Sequence, residues 1–237
     1  MKRRGDFHFK QFTISHDQSS HKVGTDGVLL GAWVDISDAH RILDIGTGSG
    51  VIAIMLAQRT GAEAKIDAVE LQEHDAVQAG LNVKKCPWSE KITVIHSAIQ
   101  GFQPSHLYDL IVSNPPFFIN SWLPPDESRS KARHAGDLSF PTLLQSAARL
   151  LSFEGKFAVV LPFTEANQFI ELAKEFGLHL HRRMSFRSRQ DKPVERLLIE
   201  FSRKPVDVKT EELVLYATDE EWTEEYRALT RDFYLKA

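Results

Sequence analysis

An α/β fold with a mostly parallel, seven-stranded sheet flanked by helices is predicted by three observations. From residue 41 onward, short apolar runs of strand length alternate with longer helical patterns. A glycine-rich turn, Gly46-Thr47-Gly48-Ser49-Gly50, follows the first of those strands. A proline-fixed loop, Asn114-Pro115-Pro116-Phe117, follows the fourth. Alternation of this kind places helices on both faces of a parallel sheet.

The elements follow in order. Residues 7–14 alternate apolar and polar and suit one strand of an N-terminal hairpin. Residues 23–27 have the composition of a turn, and 28–33 of a short helix. Strands are expected at 41–45, 65–69, 92–96, 107–112 and 157–161, with helices at about 50–59, 73–84, 142–150 and 165–176. Two final strands, 178–185 and 196–202, complete the seven as a hairpin or as flanks of the sheet. The acidic run 219–226 suits the first turns of a helix packed through Trp222, Tyr226 and Leu229. The expected division is a small N-terminal extension, 1–37, packed on a core of 38–237. The long loop 118–139 lies directly after Phe117, where a functional lid is expected.

Composition narrows the class. The chain has 237 residues, 42% hydrophobic and 26% charged, as in an ordinary globular protein. No apolar run approaches the roughly 20 residues of a membrane span. The basic start, Met1 to Gly5, leads into no apolar signal core. Cys86 is the single cysteine, which excludes an intrachain disulfide and argues against a metal site. His179 and His181 have no partner pattern for zinc. These points favour a cytoplasmic, metal-free protein.

The glycine loop indicates the ligand. Ile42-Leu43-Asp44-Ile45 runs into G-x-G-x-G, whereas the dinucleotide fingerprint is G-x-G-x-x-G. Glycines let backbone approach a ligand closely, and ligands of open α/β sheets bind beyond the carboxyl ends of the strands. Asp44, two residues before Gly46, suits an ammonium held through ordered water or the loop. Glu70 ends the next strand, where a carboxylate accepts two ribose hydroxyls. A cationic sulfonium with an amino-acid tail, S-adenosyl-L-methionine, matches this acidic loop better than a pyrophosphate does. Thr47 and Leu71, adjacent to these groups, join the candidate cofactor set, as does Asn114 of the second loop.

The second loop indicates the acceptor. The Asn114 amide oxygen and a loop carbonyl can each accept one hydrogen of an NH2 group. Two prolines fix φ at about −65° and hold both acceptors still. The Phe117 ring can stack on a flat base or amide. This arrangement suits methylation of a planar, weakly nucleophilic nitrogen, with Asn114, Pro115, Pro116 and Phe117 as the catalytic set. Alone, it leaves adenine, cytosine and glutamine amines open.

At this point the chain resembles class I S-adenosylmethionine-dependent methyltransferases with a Rossmann-like core, in the amino-methylating branch. Phe9-Lys10-Gln11-Phe12-Thr13-Ile14 and the segment from Lys22 to Trp33 resemble the N-terminal signature of the bacterial tRNA1(Val) (adenine-N6)-methyltransferase family. The resemblance implies that Gly24, Thr25 and Asp26 lie beside the methionine end of the cofactor. It places Asp44, Gly46 and Gly48 in the cofactor loop, Glu70 at the ribose, and the 114–117 loop at the target adenine. Many relatives carry an acidic residue where this chain has Ser97-Ala98. Ala98 cannot contact the cofactor's adenine amine, so Ser97 or a backbone group takes that place. The implied partner is tRNA, through its anticodon loop, and the implied enzyme is a monomer.

Other readings stay open. A glutamine methyltransferase would carry tyrosine in place of Phe117 and a helical N-terminal domain. A DNA enzyme would need a target-recognition domain, a nicotinamide oxidoreductase a different glycine spacing, and a silent RNA-binding module no intact 114–117 loop. Eight lysines and arginines between Arg182 and Lys204 oppose three acidic residues and suit a phosphate-contacting edge. Arg129, Lys131, Arg133 and His134 extend that charge, and Trp122 is placed to cover the pocket or anchor the loop.

Overall fold

The computed structural model describes residues 5–17, 19, 22–116, 138–217 and 220–236. Phe117, Trp122, the basic residues 129–134 and most of the 118–139 loop lie outside the described residues.

A two-stranded hairpin opens the chain, β1 (Phe7–His8) and β2 (Thr13–Ile14). Residues 7–14 therefore supply both arms rather than one. Helix α1 (Thr25–Trp33) follows, then β3 (Arg41–Ile45), α2 (Val51–Arg59), β4 (Lys65–Glu70), α3 (Glu73–Lys85), β5 (Ile92–His96) and β6 (Tyr108–Ser113). After the undescribed loop come α4 (Phe140–Leu150), β7 (Leu151–Pro162), α5 (Phe163–Ala173), β8 (His179–Arg189), β9 (Arg196–Ser202), β10 (Lys209–Tyr216) and α6 (Glu224–Thr230).

The main sheet has the order β10-β8-β9-β7-β6-β3-β4-β5. Strand β9 is antiparallel to both neighbours; every other pairing is parallel. The sheet holds eight strands, one more than the seven expected. The extra strand is β10. Its first four residues, Lys209-Thr210-Glu211-Glu212, are all polar and exposed at the sheet edge, which hides the apolar alternation a buried strand displays.

Two further expectations are corrected. The segment 23–27 is not a turn: α1 starts at Thr25, with extended Gly24 as its N-cap. The acidic run is not the start of a helix. Tyr216 bridges to Trp222, Ala217 N donates to Glu221 O, and α6 begins at Glu224. Thr223 sets that start, because its hydroxyl oxygen accepts from Tyr226 N at 3.1 Å.

One face of the sheet packs against α1, α2, α6 and the hairpin, through residues such as Phe12, Leu29, Ile54 and Tyr226. The other packs against α4 and α5, through Ile111, Leu143, Phe157 and Phe169. No described helix is long and apolar enough to cross a membrane.

The chain after the hairpin is tied to the rest by one buried amide. Asn82 on α3 is fully buried. Its Oδ1 accepts from Ser15 N at 3.0 Å. Its Nδ2 donates to Ser15 O at 2.9 Å and to Ser49 O at 2.8 Å. A side chain that satisfies three buried backbone groups is costly to remove, since each orphaned group costs about 1–3 kcal/mol. Asn82→Ala is expected to lower unfolding free energy by about 3 kcal/mol, measured by urea denaturation. A loss under about 1 kcal/mol would mean that water replaces the amide.

Candidate active site

The glycine loop leaves β3 with Gly46, Gly48 and Gly50 at φ of 72°, 55° and 83°. Side chains rarely adopt this region, so glycine is required here. A Cβ added at Gly46 or Gly48 would meet nothing within 4 Å, so both face open space. The loop is held by its own amides. Gly46 N and Thr47 N donate to Val69 O at 2.9 and 3.1 Å, and Gly50 N donates to Thr47 O at 2.9 Å. Gly48 N donates to Glu70 Oε2 at 2.9 Å. With these four amides spent, the loop has little left to cradle a pyrophosphate, which disfavours the dinucleotide reading.

Two carboxylates border the loop. Asp44 is fully buried, and its Oδ2 accepts from Thr47 Oγ1 at 2.6 Å. Its Oδ1 is buried with no hydrogen-bond partner among the described residues. Glu70 is pinned from both sides, because Oε1 accepts from Gln72 N at 2.9 Å. Each Glu70 oxygen keeps a lone pair for a second donor. An orphaned buried carboxylate oxygen and an open glycine floor fit a cationic ligand with a diol, as S-adenosylmethionine is.

The next strand end lies alongside. Ser97 N donates to Glu70 O at 2.9 Å. His96 Nε2 sits 3.0 Å from Leu71 O. Leu71, Ser97 and Ala98 are thus gathered beside Glu70, all half-buried.

The Asn-Pro-Pro loop meets the glycine loop through register. Ile45 pairs with Ser113 across β3 and β6, and Ser113 Oγ donates to Ile45 O at 2.8 Å. Gly46 and Asn114 therefore leave adjacent strands side by side. Asn114 is half-buried, Pro115 buried and Pro116 exposed. The Asn114 Nδ2 atom lies 3.7 Å from where a Cβ on Gly27 would sit, so the first turn of α1 walls this side. Gly24 and Thr25 are exposed at the start of that helix. Asp26 accepts from Arg196 Nε at 2.9 Å.

The family model "Methyltransferase small domain" matches residues 19–181. A tRNA1(Val) (adenine(37)-N6)-methyltransferase of Tolumonas auensis is 46% identical, covering 97% of each chain. One of Photorhabdus laumondii is 47% identical over 98% of this chain and 96% of the relative. The chain belongs to the tRNA1(Val) (adenine(37)-N6)-methyltransferase family. It is an S-adenosylmethionine-dependent methyltransferase. Among solved structures, a "predicted O-methyltransferase" of Agrobacterium tumefaciens matches with a TM-score of 0.68 at 17% identity, over 88% of this chain and 96% of that one. A glycopeptide N-methyltransferase in complex with S-adenosylmethionine matches with 0.56 at 12% identity, over 77% and 100%. At those identities the likeness is one of fold.

Two residues of this methyltransferase escape the sequence reading. Asn82 supports the glycine loop through Ser49, yet in sequence it is one polar residue among several on α3. Arg196 reads as one cation of a basic edge, but the structure commits it to Asp26.

Burial pushes the Asp44 carboxyl up to about 7, opposed by the Thr47 hydroxyl and the Ala53 backbone N–H, with the nearby Glu70 charge adding a smaller rise. Native Asp44 thus holds a proton that the unfolded chain, at 3.8, releases earlier. Its contribution to stability is present in full below the unfolded value and is lost as pH rises through the folded one. The stability of the ligand-free protein minus that of Asp44→Asn should fall between pH 4 and 7, followed by thermal melts. A flat difference across that window would contradict a buried, protonated Asp44.

Proposed function

We propose that the protein transfers a methyl group from S-adenosyl-L-methionine to N6 of an adenosine in tRNA, at position 37 in the anticodon loop of tRNA1(Val). The observation that carries the reading is the Ile45–Ser113 register, which brings the cofactor loop and Asn114 to one point at the sheet's carboxyl end. The substrate comes from the printed names of relatives near 45% identity across almost the whole chain. The proposal includes a cytoplasmic monomer that needs no metal.

The cofactor supplies an electrophilic methyl on a cationic sulfonium. The chain's residues bind, orient and shelter. Glu70 takes the ribose hydroxyls on the lone pairs its two backbone donors leave free. The orphaned Asp44 Oδ1 favours positive charge nearby, and an ammonium brought towards it draws Asp44 back to the carboxylate. Gly24, Thr25 and Asp26 border the same end from α1, and Ser97 with the Ala98 backbone serves the cofactor's adenine.

The exocyclic amine of adenine is a poor nucleophile because its lone pair is delocalised into the ring. Asn114 Oδ1 and the Pro115 carbonyl accept its two hydrogens. That pair of contacts favours a pyramidal nitrogen whose lone pair faces the methyl. Pro116 stiffens the loop, and Phe117 stacks on the base. Holding the two reactants in line accounts for much of the rate. No strong base is needed, since the nitrogen sheds its proton after transfer. The adenine must leave its stack to enter the site, which an unpaired anticodon loop makes cheaper.

Asn114→Ala should lower methyl transfer to unmodified tRNA by about 100-fold or more. Cofactor affinity, measured by calorimetry, should change by less than about twofold, because Asn114 is assigned to the acceptor. Nucleoside mapping of the wild-type product should place the label on N6-methyladenosine. Label on protein glutamine, or equal loss of cofactor binding and turnover, would contradict the assignment.

A further inference from the structure

The basic run of the C-terminal third does not act as one surface, because the fold spends half of it internally. Arg182 stacks on Trp33, its guanidinium carbon 4.0 Å from the ring centroid, and donates to Trp33 O at 2.6 Å. Arg196 holds Asp26. Arg203 donates to Ala148 O and to Leu151 O, closing the end of α4. Lys204 pairs with Glu154. Arg183, Arg187, Arg189 and Lys192 remain.

The three arginines share one face of β8, and Lys192 follows in the next turn. Met184 and Phe186 point into the core, so the alternate residues Arg183, Arg187 and Arg189 occupy the opposite face of β8. On that face the neighbouring edge strand stays open, with Thr210 and Glu212 exposed on β10. Arg183 and Arg187 each bury an Nε that finds no acceptor among the described residues. Arg187 has only a 3.9 Å approach to Glu212, whose side chain is 66% exposed, a pairing worth little in water. Arg189 lies 5.3 Å from the Tyr216 ring centroid, a cation beside an aromatic at the strand's end. Lys192 is exposed in the following turn.

The row also has a bearing. Strand β8 is antiparallel to β9, which is antiparallel to β7, so β8 runs with β7, β6 and β3. Its carboxyl end, with Arg189 and Lys192, lies at the same end of the sheet as Gly46 and Asn114. Arg183 lies six residues back, about 20 Å away at strand rise. Arginines two apart on one strand face are roughly 7 Å apart, close to the scale of adjacent phosphates along a nucleic-acid strand. Beyond Arg183 the face opens into a recess lined in part by His179 and by Lys174, which pairs with Glu171 at 2.6 Å.

We infer that the outer face of β8, from Lys192 back to Arg183, is a track for the phosphate backbone of the tRNA stem that leads away from the adenosine in the active site. The inference rests on the tRNA reading above and adds where the substrate's backbone lies. Arginine forks suit phosphate oxygens. The Arg189–Tyr216 pair sits nearest the catalytic end, where an unpaired loop base can stack.

The test uses the full-length protein and a tRNA1(Val) transcript. The variant Arg183→Gln/Arg187→Gln/Arg189→Gln should raise both the Kd and the KM for tRNA at least about 30-fold. The slope of log affinity against log salt should become shallower by about 2–3, since each phosphate contact contributes about 0.7–0.9. Cofactor affinity should be retained. A second variant, Lys192→Glu, changes an exposed turn residue and guards against misfolding of the first; it should weaken tRNA binding at least about fivefold. A folded triple variant, or Lys192→Glu, with wild-type tRNA affinity and salt slope overturns the track. Binding is read without turnover, so the two ideas separate. Methylation that persists with unchanged affinity in the variants removes the track and leaves the function. Salt-dependent binding lost in the variants, in a protein that methylates no tRNA, keeps the track and removes the function.

Discussion

The pairing of Ile45 with Ser113 is the constraint on which the rest of the site depends. Strands β3 and β6 lie at the centre of the sheet, and Ser113 Oγ locks the last step by donating to Ile45 O. A shift of β6 by one residue would turn Ser113 away from its present face and separate the two loops by about 3.3 Å. The chain order here is not the spatial order: α2, β4, α3, β5 and β6 all intervene in sequence between the glycine loop and Asn114. Parallel crossovers bring the two loops back to one edge, at the carboxyl ends where such sheets bind ligands.

Around that point the fold keeps polar groups poised by satisfying them unequally. Glu70 is fixed by two backbone donors, so its carboxylate cannot swing away from the loop. Asp44 is left with one oxygen unmatched and its carboxyl pushed up by burial. Asn82 holds the Ser49 carbonyl from behind, so the loop's shape depends on α3 and on the segment after the hairpin as well as on the glycines. Arg196 links the β8–β9 hairpin to Asp26 at the start of α1. The glycine loop, α1 and the β8–β9 hairpin are thus each held by short polar contacts.

Much of this was legible in the chain. The buried strands β3, β4 and β6 announce themselves as apolar runs, and the loops after β3 and β6 carry glycines or prolines whose conformations are restricted by chemistry. The edge was harder. Strand β10 shows four polar residues before its first buried one, Leu213, because an edge strand meets water on a side that a central strand does not. The acidic run near 220 mimics a helix start, but the Thr223 cap decides the boundary. A linear count of cations cannot separate Arg182, Arg196, Arg203 and Lys204, which serve the fold, from those that face outward. Long arginine side chains reach partners that are distant in sequence, as Arg182 reaches Trp33. Asn82 was invisible for the same reason: its partners at Ser15 and Ser49 lie far away in sequence.

The central claim is that one strand register brings a methyl donor and an amine acceptor together. It is tested most directly by a crystal structure of the protein with S-adenosylhomocysteine and an anticodon stem-loop of tRNA1(Val). The account predicts the ribose hydroxyls on Glu70 and a flipped adenine with N6 within hydrogen-bond reach of both Asn114 Oδ1 and the Pro115 carbonyl. An adenine held away from Asn114, or a cofactor bound away from the Gly46–Gly50 loop, would contradict it.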